Sequence, residues 1–272
     1  MAKAIYMRFP EGRAKTLTFS YDDGVKQDIR LIEILDKYNM KGTFNINSGL
    51  FASEGQVTNR MNASMCMEAY KNHEVAIHAL THPYLEELSP EHCTYEIIED
   101  RKNLEKLTGK IIRGMAYPYG THNDTVVNIL KNCGIVYSRT TESTHRFNLP
   151  KDWLRLPATC HHRDPELMDL AQKFIEFNTT NKTSKMFYVW GHAYEFDNAN
   201  NWHVIEEFAE YMGNRDDIWY ATNMEIYEYI NAYKQLVFSV EGTMCTNPTT
   251  TKLWLEKDNK IYTIEPGQTI YF

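Results

Sequence analysis

Residues 16–24 read TLTFSYDDG. Leu17, Phe19 and Tyr21 alternate with Thr16, Thr18 and Ser20, the period-two pattern of a β-strand with two different faces. The strand then runs into two adjacent carboxylates, Asp22 and Asp23, followed by Gly24. Like charges side by side repel, and a strand end near a core is a poor place to leave them without partners. Gly24 lets the chain turn sharply there. An ordinary Asp-rich turn would account for the pair alone, so the residues downstream decide its meaning.

Strand-like and helix-like segments alternate after this stretch. The spacing predicts strands over 42–47 (GTFNIN), 74–79 (EVAIHA), 111–117 (IIRGMAY), 135–140 (IVYSRT) and 186–191 (MFYVWG), with a short one at 218–221. Ile29, Ile32, Leu35 and Tyr38 put an apolar stripe on a helix after the first strand, and helical patterns recur over 91–107, 123–133, 164–178 and 201–212. A last helix opens with Thr222 and Glu225 in capping-box spacing and runs to about Leu236. Such alternation is the mark of an α/β fold. Beyond it, residues 236–272 alternate like short strands, with turns at Asp258-Asn259 and Pro266-Gly267. Residues 1–235 therefore read as one domain. The tail reads as a small β appendage of two or three strands, packed on that domain or mediating an oligomer contact.

The 272-residue chain is long enough for a substantial core, and 43% hydrophobic with 24% charged residues is ordinary for a globular protein. A net charge of -7 without any Lys/Arg block argues against a nucleic-acid partner. The start, MAKAIYMRFPEGRAK, has no apolar signal-peptide region, and no run approaches the roughly 18 apolar residues of a membrane span. Five scattered cysteines form no C-x-x-C pair, which favours free thiols in a reducing compartment. The expectation is a cytoplasmic protein with no membrane partner. Eighteen tyrosines and five tryptophans are read first as core packing and second as surfaces for stacking on sugars.

The polar clusters fall at the ends of predicted strands. SYDDG ends the first; His78 and His82 (HALTH) end another; AYPYG, residues 116–120, ends a third; and His192 (VWGH) ends a fourth. In a parallel barrel this is the face on which active sites are assembled. The H-x-x-x-H spacing brings two imidazoles to one metal, and a strand-end Asp completes a His-His-Asp set with coordination positions left open for water. One Asp then holds the cation while its neighbour accepts a proton from water.

These residues resemble the polysaccharide deacetylases, carbohydrate esterase family four, with the NodB-homology fold. SYDDG is similar to the family's first motif (T-F-D-D-G), HALTH to its second (H-[ST]-x-x-H), AYPYG to its third (R-x-P-[FY]) and YVWGH to its fifth (L-x-L-x-H), in the family's order over roughly residues 15 to 235. The resemblance implies a distorted (β/α) barrel with fewer than eight complete units. It implies Asp23, His78 and His82 as ligands of one divalent metal ion, zinc in the first instance with cobalt or nickel as alternatives. Asp22 would be the general base, the Tyr119 backbone N–H would stabilise the oxyanion, and His192 would be the general acid. The implied partner is an acetylated sugar or oligosaccharide. Other members of the superfamily hydrolyse different C–N bonds, including cyclic amides such as allantoin, and a non-catalytic carbohydrate-binding protein is a third reading.

The chain departs from the family at several positions. Ala79 replaces the Ser or Thr of the second motif, and Ala116 replaces the Arg of the third, which tethers the base. Arg113 has the wrong parity for that task, whereas Arg139 is expected either to pair with Asp22 or to stand as a surface or barrel-wall arginine. Asp152 and Trp153 resemble the D-W ending of the fourth motif, with Trp153 as a pocket wall. His161 and His162 fall near the same face, as a substrate contact or a solvent-facing loop. Glu195 and Asp197 either orient His192 or face solvent.

Overall fold

The structure is a computed structural model that describes residues 4–53, 55–180 and 182–272. A short N-terminal strand, β1 (Ile5–Arg8), precedes the strand that carries TLTFSYD, β2 (Lys15–Asp22), in which all eight residues are buried. Leu17, Phe19 and Tyr21 enter the core between sheet and helices. The alternate residues are polar, yet they do not meet solvent. Thr18 Oγ1 donates to Asn223 Oδ1, and Ser20 Oγ accepts from Asn45 Nδ2 and Arg139 Nε. The polar face of the strand thus lines a closed interior, and its row of hydroxyls ends in Asp22.

Around β2 the chain lays down α1 (Asp28–Lys37), β3 (Gly42–Ile46), α2 (Ala63–Ala69), β4 (Glu74–Ile77), α3 (Pro90–Thr108), β5 (Gly114–Ala116), α4 (Asp124–Asn132) and β6 (Tyr137–Ser143). Then follow β7 (Leu156–Ala158), β8 (Cys160–His161), α5 (Leu167–Glu176), β9 (Lys185–Gly191), α6 (Tyr194–Ala199), α7 (His203–Met212), β10 (Ile218–Tyr220) and α8 (Asn223–Lys234). The sheet runs β7-β6-β5-β4-β3-β2-β9-β8, with β10 on the lower half of β2, and every ladder in it is parallel. β7 and β8 share no ladder, which leaves a seam in a distorted (β/α) barrel. All strand C-termini open on one face, so the loops after β2, β4, β5 and β9 gather there. The opposite end is plugged by α8, whose Asn223 and Met224 amides donate to Thr43 Oγ1 and Glu74 Oε2. Thr222 and Glu225 form the expected capping box of that helix.

The tail differs from the sequence expectation. It contains five strands rather than two or three: β11 (Val237–Phe238), β12 (Met244–Thr246), β13 (Leu253–Lys257), β14 (Lys260–Ile264) and β15 (Thr269–Tyr271). They form two small sheets, and β1 pairs antiparallel with β13, so residues 5–8 belong with the tail and not with the barrel. Strands this short lack a strong period-two signal, and pairing between the two ends of a chain leaves none. Asp258 and Asn259 both adopt positive φ between β13 and β14, the geometry of a tight hairpin turn. The tail packs on α8: Tyr229 Oη donates to Arg8 O and accepts from Trp254 N, while Leu253, Leu255 and Ile264 join Ile226 and Ile230 in a second core. The five cysteines are free and buried. Among the described residues no helix is long and apolar enough to cross a membrane.

Candidate active site

Parity accounts for the different surroundings of the two adjacent aspartates. Asp22 continues the inward face of β2, whereas Asp23 leaves the strand at φ 86, followed by Gly24 at φ 63. Ala79 (φ 61), His82 (φ 60) and Tyr119 (φ 59) carry the same left-handed backbone in the turns after β4 and β5. Each such residue costs about 1–3 kcal/mol, and this kind of strain collects where side-chain placement matters more than stability.

These turns bring Asp23, His78 and His82 together, with one ligand atom from each lying within 4.8 Å of the others. The surroundings of His78 select one tautomer. Its Nδ1 lies 2.7 Å from the Ala116 carbonyl, to which only an N–H can donate, so Nε2 keeps its lone pair. Burial pushes the His78 ring down to about 4, the neutral form that ligation requires. Asp23 Oδ1 is buried and accepts no hydrogen bond. One carboxylate and two imidazoles on this face fit a divalent cation.

Asp22 stands beside this trio, held by other residues. Arg139 pairs with its Oδ2, and Asn45 Nδ2 donates to its Oδ1 over 2.8 Å. Arg139 is fully buried, with its guanidinium 4.4 Å from the Trp190 ring, so it reaches Asp22 and not a substrate. Burial alone would raise the Asp22 carboxyl; Arg139, His78, His192 and Asn45 outweigh it and hold the group below its usual range. The Nε2 atoms of His78 and His192 both lie 3.9 Å from Asp22 Oδ2. Asp23 has its own cation, Arg60, whose Nη2 is 3.1 Å from Oδ1. The repulsion between the two carboxylates is thus offset by two separate arginines, and Arg60 is a residue that no motif pointed to.

The sequence profile of the family described as polysaccharide deacetylase matches residues 10–138. Over this part the chain is similar to the polysaccharide deacetylases. A chitooligosaccharide deacetylase from Azorhizobium caulinodans is 26% identical over 123 residues, 44% of this chain and 55% of that protein. The chain therefore spans about half the length of that relative. A Mycobacterium smegmatis protein assigned as a polysaccharide deacetylase is similar in structure, with TM-score 0.59 and 17% identity, covering 85% of this chain and 95% of that one. A variant of the peptidoglycan deacetylase PdaC from Bacillus subtilis gives TM-score 0.51 at 15% identity, with 81% and 94% covered. At these identities the two structures establish the fold alone, a distorted (β/α) barrel.

The side of the barrel around His192 departs from the sequence expectation. Trp153 is not a pocket wall. It sits in a 3-10 turn at the start of β7, packed edge-on against Tyr227 of α8, at the end of the barrel away from the histidines. Asp152 caps that turn and pairs with Arg155, so neither residue approaches His192. Glu195 lies there instead. Its Oε2 accepts from the His192 backbone N–H over 3.3 Å and lies 3.5 Å from His192 Nδ1. Burial lowers the His192 ring, but Glu195 and then Asp22 outweigh it and raise the group above its ordinary value.

His161 and His162 do not form a solvent-facing loop: His162 is fully buried, and both ring Nε2 atoms lie 3.1 and 3.3 Å from Glu195 Oε2. Gly191 makes room for His162, since a Cβ there would fall 2.0 Å from His162 Nδ1. This second His-His-Glu group is arranged for protons. His161 Nδ1 accepts from the Arg163 amide, so in the neutral ring Nε2 carries the hydrogen towards Glu195, the reverse of His78. Burial, with His161 alongside, pushes His162 down to about 2, and it stays neutral.

Two further supports come from buried polar groups. Asn47 Nδ2 donates to the His78 and Ala79 carbonyls, and Asp100 accepts from the Ser48 and His78 amides. Asp100→Ala is expected to cost about 1–3 kcal/mol in urea unfolding, because it leaves the buried Ser48 amide unpaired, while the His78 amide keeps the Ile46 carbonyl. A loss below about 1 kcal/mol would show that Asp100 is dispensable to the turn. At the rim, Tyr119 and Tyr84 stack with ring centres 3.9 Å apart, both more than two-fifths exposed, and His82 meets the Tyr119 ring at 4.5 Å. A separate cleft of about 780 Å³, lined by Lys41, His73, Glu74 and Thr222, opens at the other end of the barrel and holds none of these residues.

Proposed function

We propose that the protein is a metal-dependent hydrolase that removes an acetyl group from a carbohydrate, from nitrogen in preference to oxygen. The carrying observation is the grouping of Asp23, His78 and His82 beside an Asp22 that Arg139 holds apart from them. Asp23, His78 and His82 would hold the cation, zinc in the first instance with cobalt or nickel as alternatives. When bound, such an ion polarises a carbonyl and lowers the pKa of water.

The other tasks fall to the chain itself. Asp22, ionised at neutral pH, accepts a proton at Oδ2 from the attacking water. The Tyr119 backbone N–H donates to the oxyanion that develops on the acetyl carbonyl oxygen. His192, on the other side of Asp22, donates its Nε2 proton to the departing nitrogen, which an amide requires because an amide anion is a very poor leaving group. The exposed Tyr84–Tyr119 pair supports a sugar as the bearer of the acetyl group, since a pyranose ring offers an apolar C–H face to an aromatic plane. The name of the Azorhizobium relative points to the same class.

The test is acetate release from N-acetylated chitooligosaccharides and from O-acetylated xylan, before and after chelation. Release lost on chelation and restored by zinc or cobalt is the expected result, with the N-acetylated substrates favoured. Release that survives full metal removal would overturn the reading. Ammonia or a ring-opened product from a cyclic amide would replace it with the other C–N hydrolase chemistry.

A further inference from the structure

The two arginines that compensate Asp22 and Asp23 are not equivalent. Arg139 is buried with Asp22 inside the barrel. Arg60 reaches Asp23 from the loop between β3 and α2, and its side chain remains 24% exposed. The backbone on either side of it is fixed: Lys26 N–H donates to Asn59 O and Met61 N–H to Gly24 O, both at 2.9 Å. The guanidinium grips the turn in two places, since Nη1 donates to the Asp23 carbonyl and, over 3.1 Å, to Asn47 Oδ1. Nη2, in contrast, lies 3.1 Å from Asp23 Oδ1 without the alignment of a hydrogen bond. That contact is charge against charge, and it falls on the carboxylate of the proposed ligand trio.

Resting on the metal reading above, we infer that Arg60 is a built-in counter-cation that competes with the divalent ion for Asp23. With neutral His78 and His82, the charges of Asp22, Asp23, Arg60 and Arg139 sum to zero, so a dication enters a site that is already neutral. Without Arg60 the same site carries one negative charge. Arg60 therefore stabilises the ion-free turn and weakens the hold on the ion, which makes the metal exchangeable. A residue that only shaped the turn would act in the opposite sense on affinity, because its removal would disorder Asp23.

The experiment uses the full chain stripped of metal and titrated with Co(II) against a chromophoric chelator, without substrate. Arg60→Gln is expected to bind Co(II) about tenfold or more tightly than the wild type. In the stripped state the same variant melts at a lower temperature, and the double variant Asp23→Asn/Arg60→Gln recovers part of that loss. Arg60→Lys keeps one charge but cannot span carbonyl and carboxylate together, and its affinity falls between the two; it carries the test if the glutamine variant fails to fold. Equal or weaker Co(II) binding by Arg60→Gln overturns the inference and leaves the metal reading standing. Failure of every form, wild type included, to take up Co(II) overturns both.

Discussion

Arg139→Met is expected to destabilise the protein by about 3–5 kcal/mol at neutral pH, the usual cost of removing one partner of a buried ion pair. Asp22 is 2% exposed, and burial is the strongest influence on its carboxyl, opposed first by Arg139. With the guanidinium gone, burial prevails and the Asp22 pKa rises. A general base must be ionised to work, so the acid limb of the pH–rate profile moves to higher pH and turnover at neutral pH falls. The double variant Asp22→Asn/Arg139→Met removes both charges and is expected to regain most of the lost stability while staying inactive, since losing a general base costs about 10²–10⁴ in rate. Urea unfolding of the wild type, Arg139→Met, Asp22→Asn and the double variant closes the cycle. If Arg139→Met loses less than about 1 kcal/mol and its acid limb stays in place, Arg139 is an ordinary wall residue of the barrel and Asp22 needs another partner.

The same ion pair shows how far the sequence can be read. Arg139 pairs with Asp22, and β5 and β6 put Ala116 directly opposite Arg139 in the ladder. The side chain therefore reaches the same inner wall from the neighbouring strand. Strand parity was enough to set Arg113 aside, because it depends only on alternation. Parity also made the barrel legible: the apolar half of each long strand faces helices, and the helices carry the complementary stripe. The barrel strands with no legible pattern, β7 and β8, have three and two residues and lie between β6 and α5. Two or three residues carry no period.

Arg60, Asn47 and Asp100 were beyond the reach of the sequence for a different reason. Each acts through a backbone carbonyl or amide, and such partners leave no pairing signature in the chain. D-W is too short a string to place Trp153. What distinguishes a pocket wall from a plug is whether it precedes or follows its strand, and Trp153 precedes β7. Glu195 was in view, three residues after His192, but a carboxylate in the first turn of a helix is commonly just a favourable charge at its N-terminus. Only the convergence of His161, His162 and His192 on it distinguishes the two roles.

That convergence gives the remaining prediction. His192→Ala is expected to reduce amide deacetylation about 10²–10⁴-fold, the usual worth of a general acid, and to reduce hydrolysis of an aryl acetate far less, because an aryloxide departs without a proton. Glu195→Gln keeps the shape but removes the charge that raises the His192 ring. The proposed acid works only when protonated, so activity is lost as pH rises through its pKa. In the wild type that limb lies above the ordinary histidine value of about 6.5, and in Glu195→Gln it moves to lower pH. The acid limb, assigned to the proposed base Asp22, stays where it was, and KM changes little because Glu195 acts through His192 and not on the substrate. Glu195→Asp keeps the charge on a shorter stem and is expected to retain part of the alkaline shift. If the alkaline limb is the same in Glu195→Gln as in the wild type, Glu195 only packs the turn. If His192→Ala slows the amide and the aryl ester equally, the proton reaches the leaving nitrogen from elsewhere.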